Sequence, residues 1–319
     1  MNVNMLCQFL RRVLFLTCPA VAACLVAGAQ LAASPAAQKS SGPGRLVDIG
    51  GYRLHIYCVG EGVPTIIFDS GVGGFSLEWS RVQKALAPRT RVCSYDRAGY
   101  GWSDPGPLPR TSKRITRELH TLLLRAGVAG PYIIAGHSFG GYNAQLFARN
   151  YPNETAGLVL IDSSHPEQIE RLPGPEPGTV KRVRPGSNNY VVSWFFPHPN
   201  FPDENALTAQ RIMQSWRHKM TWREEMTVFS VSAKQVKTSR PMPEVPVLVL
   251  TRGRSFWPGY SNGDETERVW MELQDELSQL GTNTVHLIAE RSGHVIHLDQ
   301  PGIVITAVQT MLDANFSRK

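Results

Sequence analysis

Six short runs along the chain, PTIIFDSG, TRVCSYD, PYIIAGHS, GLVLIDS, VPVLVLT and NTVHLIA, are apolar and β-branched almost throughout. Strict alternation would mark strands with one wet face; continuous apolar runs of this length mark strands buried on both faces of a parallel sheet. Between them lie segments whose apolar residues have helical spacing: SLEWSRVQKALA, TSKRITRELHTLLLRAG and FGGYNAQLFARNYP. The second begins at a cap on Thr111 or Ser112 and ends at Gly127. RLVDIGGYRLHIYCV, turning at Gly50-Gly51, adds a hairpin. The pattern predicts an α/β fold, a mostly parallel eight-stranded sheet with helices on both faces.

The alternation breaks from about Ser164 to Pro243, first in a Pro- and Gly-rich stretch and then in the helical pattern NALTAQRIMQSWRHKMTWREEMTVFSVSAKQV. That is too long for an ordinary crossover, so an inserted helical cap is expected over 165–241, dividing the core into 45–164 and 242–319. Trp194, Phe195, Phe196, Trp216, Trp222 and Phe229 either line a pocket beneath this cap or pack it onto the core.

The first 35 residues read differently. Two arginines precede VLFLTCPAVAACLVAGA, which has no charge, and a small polar stretch follows. Basic, apolar and small-residue regions in this order predict an export signal with Ala27-Gly28-Ala29 as a cleavage site, or an uncleaved membrane anchor; residues 36–44 then form a linker. The expected location is exported: periplasmic, extracellular or membrane-anchored, with any membrane contact made through this segment. The net charge of +7 comes from scattered Lys and Arg without a long basic run, so a nucleic-acid partner is not expected. Three of five cysteines belong to the leader; Cys58 and Cys93 remain, expected as two buried thiols although an oxidising compartment would permit a bridge. No Cys/His cluster has metal-ligand spacing, and no cofactor or metal is expected.

Gly136-His137-Ser138-Phe139-Gly140-Gly141 follows the apolar run PYIIA and opens a helical pattern. A Gly-x-Ser-x-Gly motif between strand and helix marks a serine nucleophile on a strained turn, where side chains two residues either side would strike neighbouring backbone. Ser138 is the predicted nucleophile and His137 a structural residue pointing away from the pocket. A base is then required. His294, in a short loop after the last strand run, is the candidate; His297 fits better at the entrance of the closing helix, and His165 in a loop. Acyl transfer also needs donors for an oxyanion: the backbone N–H of Phe139 and, from the glycine-rich loop FDSGVGGFS, that of Val72.

With SYDRAGYGWSDP, GHSFGG and SGHVIHLDQP in place, the chain from about Leu46 to Phe316 resembles the α/β-hydrolase superfamily, in the branch containing esterases, haloalkane dehalogenases and proline iminopeptidases. The resemblance implies that Asp96 and Arg97 are structural. Ser70-Gly71 stands where members often have His-Gly, a change that a backbone donor tolerates. It also implies two places for the acid of a triad. After the seventh strand the expected point holds Phe256, and Asp264, Glu265 and Glu267 come only later. At the end of the sixth strand stands Asp162, similar in placement to the acid of some haloalkane dehalogenases. A short carboxylate at a rigid strand end is better oriented than one on a long loop, so Asp162 is the predicted acid.

The expected function is a cofactor-free serine hydrolase acting on a small, apolar acyl substrate, esters first. An aminopeptidase or amidase, with Glu167, Glu170, Glu224 or Glu225 holding an amine, is the alternative. Cofactor-free peroxidase-type and acyltransferase activities stay open, as does a catalytically silent binding protein. Serine at the nucleophile position argues against a dehalogenase or epoxide hydrolase, which use Asp there.

Overall fold

The computed structural model describes residues 42–173, 195–255, 262–281 and 284–316. The leader 1–35, the linker up to Ser41, Trp194 and Phe256 lie outside the described residues. Arg45–Asp48 (β1) and Arg53–Val59 (β2) form the hairpin, and Gly50 and Gly51 take φ of +112° and +101° at its turn. Six further strands follow: β3 (Thr65–Asp69), β4 (Val92–Tyr95), β5 (Tyr132–His137), β6 (Thr155–Ile161), β7 (Val247–Arg252) and β8 (Thr284–Ala289). They make one sheet of order β1-β2-β4-β3-β5-β6-β7-β8, antiparallel where β2 meets β1 and β4 and parallel from β4 to β8.

Successive strand residues face opposite ways, and the apolar runs therefore feed two cores. Ile67, Ile134, Leu158, Leu160 and Val249 pack on one face with Leu119, Leu122 and Phe147 of α2 (Ser112–Arg125) and α3 (Gly140–Asn150). Ile66, Ile133, Val159 and Leu248 pack on the other with Val82 and Leu86 of α1 (Ser80–Leu86) and Val304 and Val308 at the chain's end. Burying each such side chain contributes about 1.5–3 kcal/mol.

The crossover from β6 to β7 carries α4 (Gln168–Arg171), α5 (Asp203–Gln214), α6 (Trp216–Thr227) and α7 (Phe229–Lys237). Then come α8 (Gly263–Ser278) between β7 and β8, and α9 (Ile296–Asp299) and α10 (Pro301–Phe316) after β8. The inserted helices join the core. Ala233 and Val236 of α7, with Trp222 and Phe229, pack on Phe139, Tyr142 and Val72; Ala209 and Met213 of α5 pack on Phe75 and Tyr100. They also do polar work. Thr111 is the N-cap of α2, but its side chain caps nothing; instead the N–H groups of Ser112 and Lys113 donate to Ser232 Oγ (3.1 Å) and Gln235 Oε1 (2.8 Å) of α7. Of the described cap aromatics, Trp222 and Phe229 are packing residues, Phe195 stands edge-on to Trp222 at 5.4 Å, and Trp216 is 77% exposed.

Cys58 and Cys93 sit opposite one another on β2 and β4 and form a disulfide, not the two buried thiols expected. The antiparallel register brings the pair within bridging reach, which sequence separation alone did not show. Among the described residues, no helix is long and apolar enough to cross a membrane.

Candidate active site

Ser138 directly follows β5 and has φ +52°, in the left-handed region that a non-glycine residue enters only under constraint. The constraint is visible. Ser138 N–H donates to Ile161 O (3.1 Å), and Ser164 N–H donates to Ser138 O (3.0 Å), tying the turn to the end of β6. Glycine is obligatory around it: a Cβ on Gly136 would lie 2.4 Å from Gly140 O, and one on Gly140 would lie 2.2 Å from Asp69 O. Phe139 immediately precedes α3, where backbone N–H groups have no intrahelical acceptor, and its ring is fully buried against Tyr142 and Phe229.

Asp162, one residue beyond β6, is the second non-glycine residue at positive φ (+38°) and is fully buried. His294 Nδ1–H donates to its Oδ2 at 2.6 Å. Asp162 Oδ1 accepts from Trp270 Nε1 of α8 (3.0 Å), and Arg252 at the end of β7 donates from Nη1 to Oδ2 (2.9 Å) and Oδ1 (3.2 Å). Burial pushes this carboxyl up, but the Arg252 guanidinium and the His294 and Trp270 donors outweigh it and hold Asp162 well below the usual carboxylate range. Arg252 is itself buried, lies 4.7 Å over the Trp270 ring and donates to Glu267 Oε2 (2.8 Å). Glu267 thus meets the cation and not the imidazole. Asp264 and Glu265 are exposed in the first turn of α8.

His137 departs from expectation. Its ring does not point away: it borders the cavity, 4.7 Å from the His294 ring, and its Nε2–H donates to the His294 carbonyl (2.9 Å). Burial pushes its pKa well below the ordinary value, so it supports the His294 loop as a neutral donor. His297 is fully buried in α9, stacked on Trp79 at 4.0 Å and pushed down to about 3 by burial. His165 lies beside Glu276 (3.5 Å), pushed down to about 4, also by burial.

The loop after β3 is held from below by Arg97, whose Nη1 donates to Ser70 O (2.5 Å) and whose Nη2 donates to Gly71 O (2.7 Å). The same guanidinium pairs with Asp69 (2.9 Å) and with Glu225 of α6 (2.8 and 2.9 Å), and Trp79 Nε1 donates to Ser70 Oγ (2.8 Å). Arg97 therefore joins the glycine loop to the inserted helices, a role its place in SYDRAGYG did not disclose. A Cβ on Gly71 would lie 3.1 Å from Ser138 Cβ, so this loop abuts the serine.

Ser138, His294 and the Gly71–Gly74 loop, with Val72, border one cavity whose remaining described wall is mostly apolar: Phe196, Met213, Val295 and Leu298, with Glu78 and His198 as polar members. Phe196 is the described cap aromatic that takes the lining role, whereas Glu78 was not singled out by sequence, since it sits in a short 3-10 helix, Ser76–Trp79, that looks like helix surface in isolation. The carboxylates considered for amine binding are elsewhere: Glu225 is paired with Arg97, and Glu167 and Glu170 pair with Lys237. Glu224 is half-buried on α6 and does not border the cavity.

The family model described as the alpha/beta hydrolase family matches residues 66–307. Among curated relatives, Probable transporter efuK of Hormonema carpetanum is 26% identical over 311 residues, covering 84% of this chain and 42% of that protein. Uncharacterized protein YqjL of Bacillus subtilis is 25% identical over 250 residues, covering 78% and 83%. The chain thus spans less than half of the first relative and most of the second. Among solved structures, a probable hydrolytic enzyme from Pseudomonas aeruginosa PAO1 shares the fold with a TM-score of 0.65 at 18% identity, over 85% of this chain and 95% of that one. With the family match running from β3 into α10, the chain belongs to the alpha/beta hydrolase family.

Proposed function

We propose that the chain is a serine hydrolase that cleaves carboxylic esters or related acyl bonds through an acyl-enzyme on Ser138. The observation that carries this reading is the 2.6 Å bond from His294 Nδ1 to Asp162. With the proton fixed on Nδ1, Nε2 is the basic nitrogen, as a proton acceptor for serine must be. In the proposed cycle Ser138 Oγ attacks the acyl carbon while His294 Nε2 takes its proton. The N–H groups of Phe139 and Val72 donate to the oxyanion, His294 returns the proton to the leaving alcohol, and water then repeats the sequence to release the acid.

None of the cap carboxylates named for an aminopeptidase supports that alternative: Glu225 is spent on Arg97, Glu167 and Glu170 on Lys237, and Glu224 does not border the cavity. A fluorophosphonate probe tests the assignment. It should label the wild-type protein and leave Ser138→Ala unlabelled, and a panel of 4-nitrophenyl esters should be turned over only by the former. Absence of labelling and turnover in the folded wild-type protein would instead leave a ligand-binding member of the fold.

The export reading is kept as part of the proposal, supported by the leader's composition and by the cross-strand Cys58–Cys93 bridge, which persists in oxidising compartments. N-terminal sequencing of the protein recovered outside the cytoplasm should begin beyond residue 29 if the leader is cut.

A further inference from the structure

We propose that Glu78 is the specificity-determining carboxylate of the cavity, holding a protonated amine of the substrate while the scissile acyl group lies at Ser138. This rests on the acyl-transfer reading and deepens it by assigning a substrate class, amine-bearing esters.

Glu78 is the carboxylate among the described residues that border the cavity with Ser138 and His294, and its side chain is 13% exposed there. The loop facing the serine is shaped around it. A Cβ on Gly74 would fall 2.5 Å from Glu78 Oε2 and 2.8 Å from Ser70 Cβ, so the carboxylate lies directly against the loop that borders the serine. An anion against an apolar wall is costly unless a cation meets it.

Among the described residues, none supplies that cation. His297 Nε2, from α9, is 3.7 Å away, beyond hydrogen-bonding distance, and its low pKa keeps it neutral. His198 faces Glu78 from the segment before α5 and is likewise pushed down by burial. Arg97, behind the loop, is committed to Asp69 and Glu225, while Asp96 and Asp299 add negative charge near Glu78 and His198 respectively. Burial therefore dominates and raises Glu78 to about 7, against Arg97, His198 and the Phe75 backbone, which lower it. A neutral hydroxyl on the substrate would leave the anion uncompensated. An ammonium would neutralise it, and the two groups are both charged from about pH 7 up to the amine's own pKa.

The test uses ω-aminoacyl esters of 4-nitrophenol, two to six carbons long, each compared with the alkyl ester of the same chain atoms and with the hydroxyalkyl ester. At about pH 8 at least one amino ester should exceed its alkyl partner about tenfold in kcat/KM, and the advantage should shrink toward pH 6. Glu78→Gln, nearly isosteric, should abolish that advantage, with the loss appearing in KM for the amino ester. An amino ester no better than its alkyl partner at any length would overturn the proposal, as would an equal gain from the hydroxyalkyl ester or a preference that survives in Glu78→Gln. These outcomes are distinct from failure of the acyl-transfer reading itself: that failure would remove fluorophosphonate labelling and all ester turnover, whereas a labelled, active enzyme indifferent to the amine refutes only the role of Glu78.

Discussion

Arg252 at the end of β7 places Nη1 2.9 Å from Oδ2 of Asp162 at the end of β6, so adjacent parallel strands deliver an acid and its counter-cation to one buried point. Replacing Arg252 with Met leaves that carboxylate buried and uncompensated, which should destabilise the fold by about 3–5 kcal/mol. The sign of the pH effect follows from the depressed pKa of Asp162. Its ionised form is favoured in the folded state, so its stabilisation is present at neutral pH and lost as pH falls. Without Arg252 that loss begins at higher pH, and the acid limb of the rate profile should move up with it. Denaturant midpoints and a pH–rate profile would check both.

Asp162→Asn should lower kcat by about 10³–10⁴ while Asp264→Asn changes it little, because Asp264 is exposed on the first turn of α8. Steady-state kinetics on the two folded variants distinguishes the acids. Full turnover in Asp162→Asn, with loss in Asp264→Asn, would reverse the assignment.

Strands β3 to β7 were legible because residues buried on both sheet faces leave continuous apolar runs; β8, half-buried at the sheet edge, also left an apolar run, and β1 and β2 were legible from the turn at Gly50-Gly51. The Ser138 turn was legible for a steric reason, since its flanking glycines face backbone at 2.2–2.4 Å. Asp162 could be paired with His294 because it directly follows such a run. Arg252 was not legible: an arginine closing VLVLTR resembles a strand residue reaching solvent, and only the sheet order shows that it closes over Asp162. Arg97 was read as structural, but its link to Glu225 on α6, far away in the chain, was not legible, nor was the place of Glu78 in the cavity wall. The orientation of His137 was misjudged because its donor role depends on the backbone of the His294 loop.

Glu78 has a stability consequence independent of any substrate. Its folded pKa, about 7, lies above the ordinary value, so the folded protein holds a proton that the unfolded chain releases earlier. Stability should therefore fall as pH rises from about 4.5 to about 7 through this group, and Glu78→Gln should gain of order 1–3 kcal/mol at pH 8 with little change at pH 4. Urea titrations at the two pH values provide the comparison.

The Cys58–Cys93 bridge closes a loop with a sequence separation of 35. In the chain-entropy account a loop of that length contributes about 3–4 kcal/mol, so reduction, or a double Cys→Ser variant, should lower the denaturant midpoint by a corresponding amount. The pairing of β2 with β4, which the bridge spans, should loosen first, which hydrogen exchange at Tyr57 and Ser94 would register.

Trapping the covalent intermediate tests the central claim most directly. Rapid mixing with a 4-nitrophenyl ester should give a burst of nitrophenol approaching one equivalent, and acid-quenched protein should carry the acyl mass on the peptide containing Ser138. Turnover without a burst, with no acyl adduct and undiminished in Ser138→Ala, would contradict it.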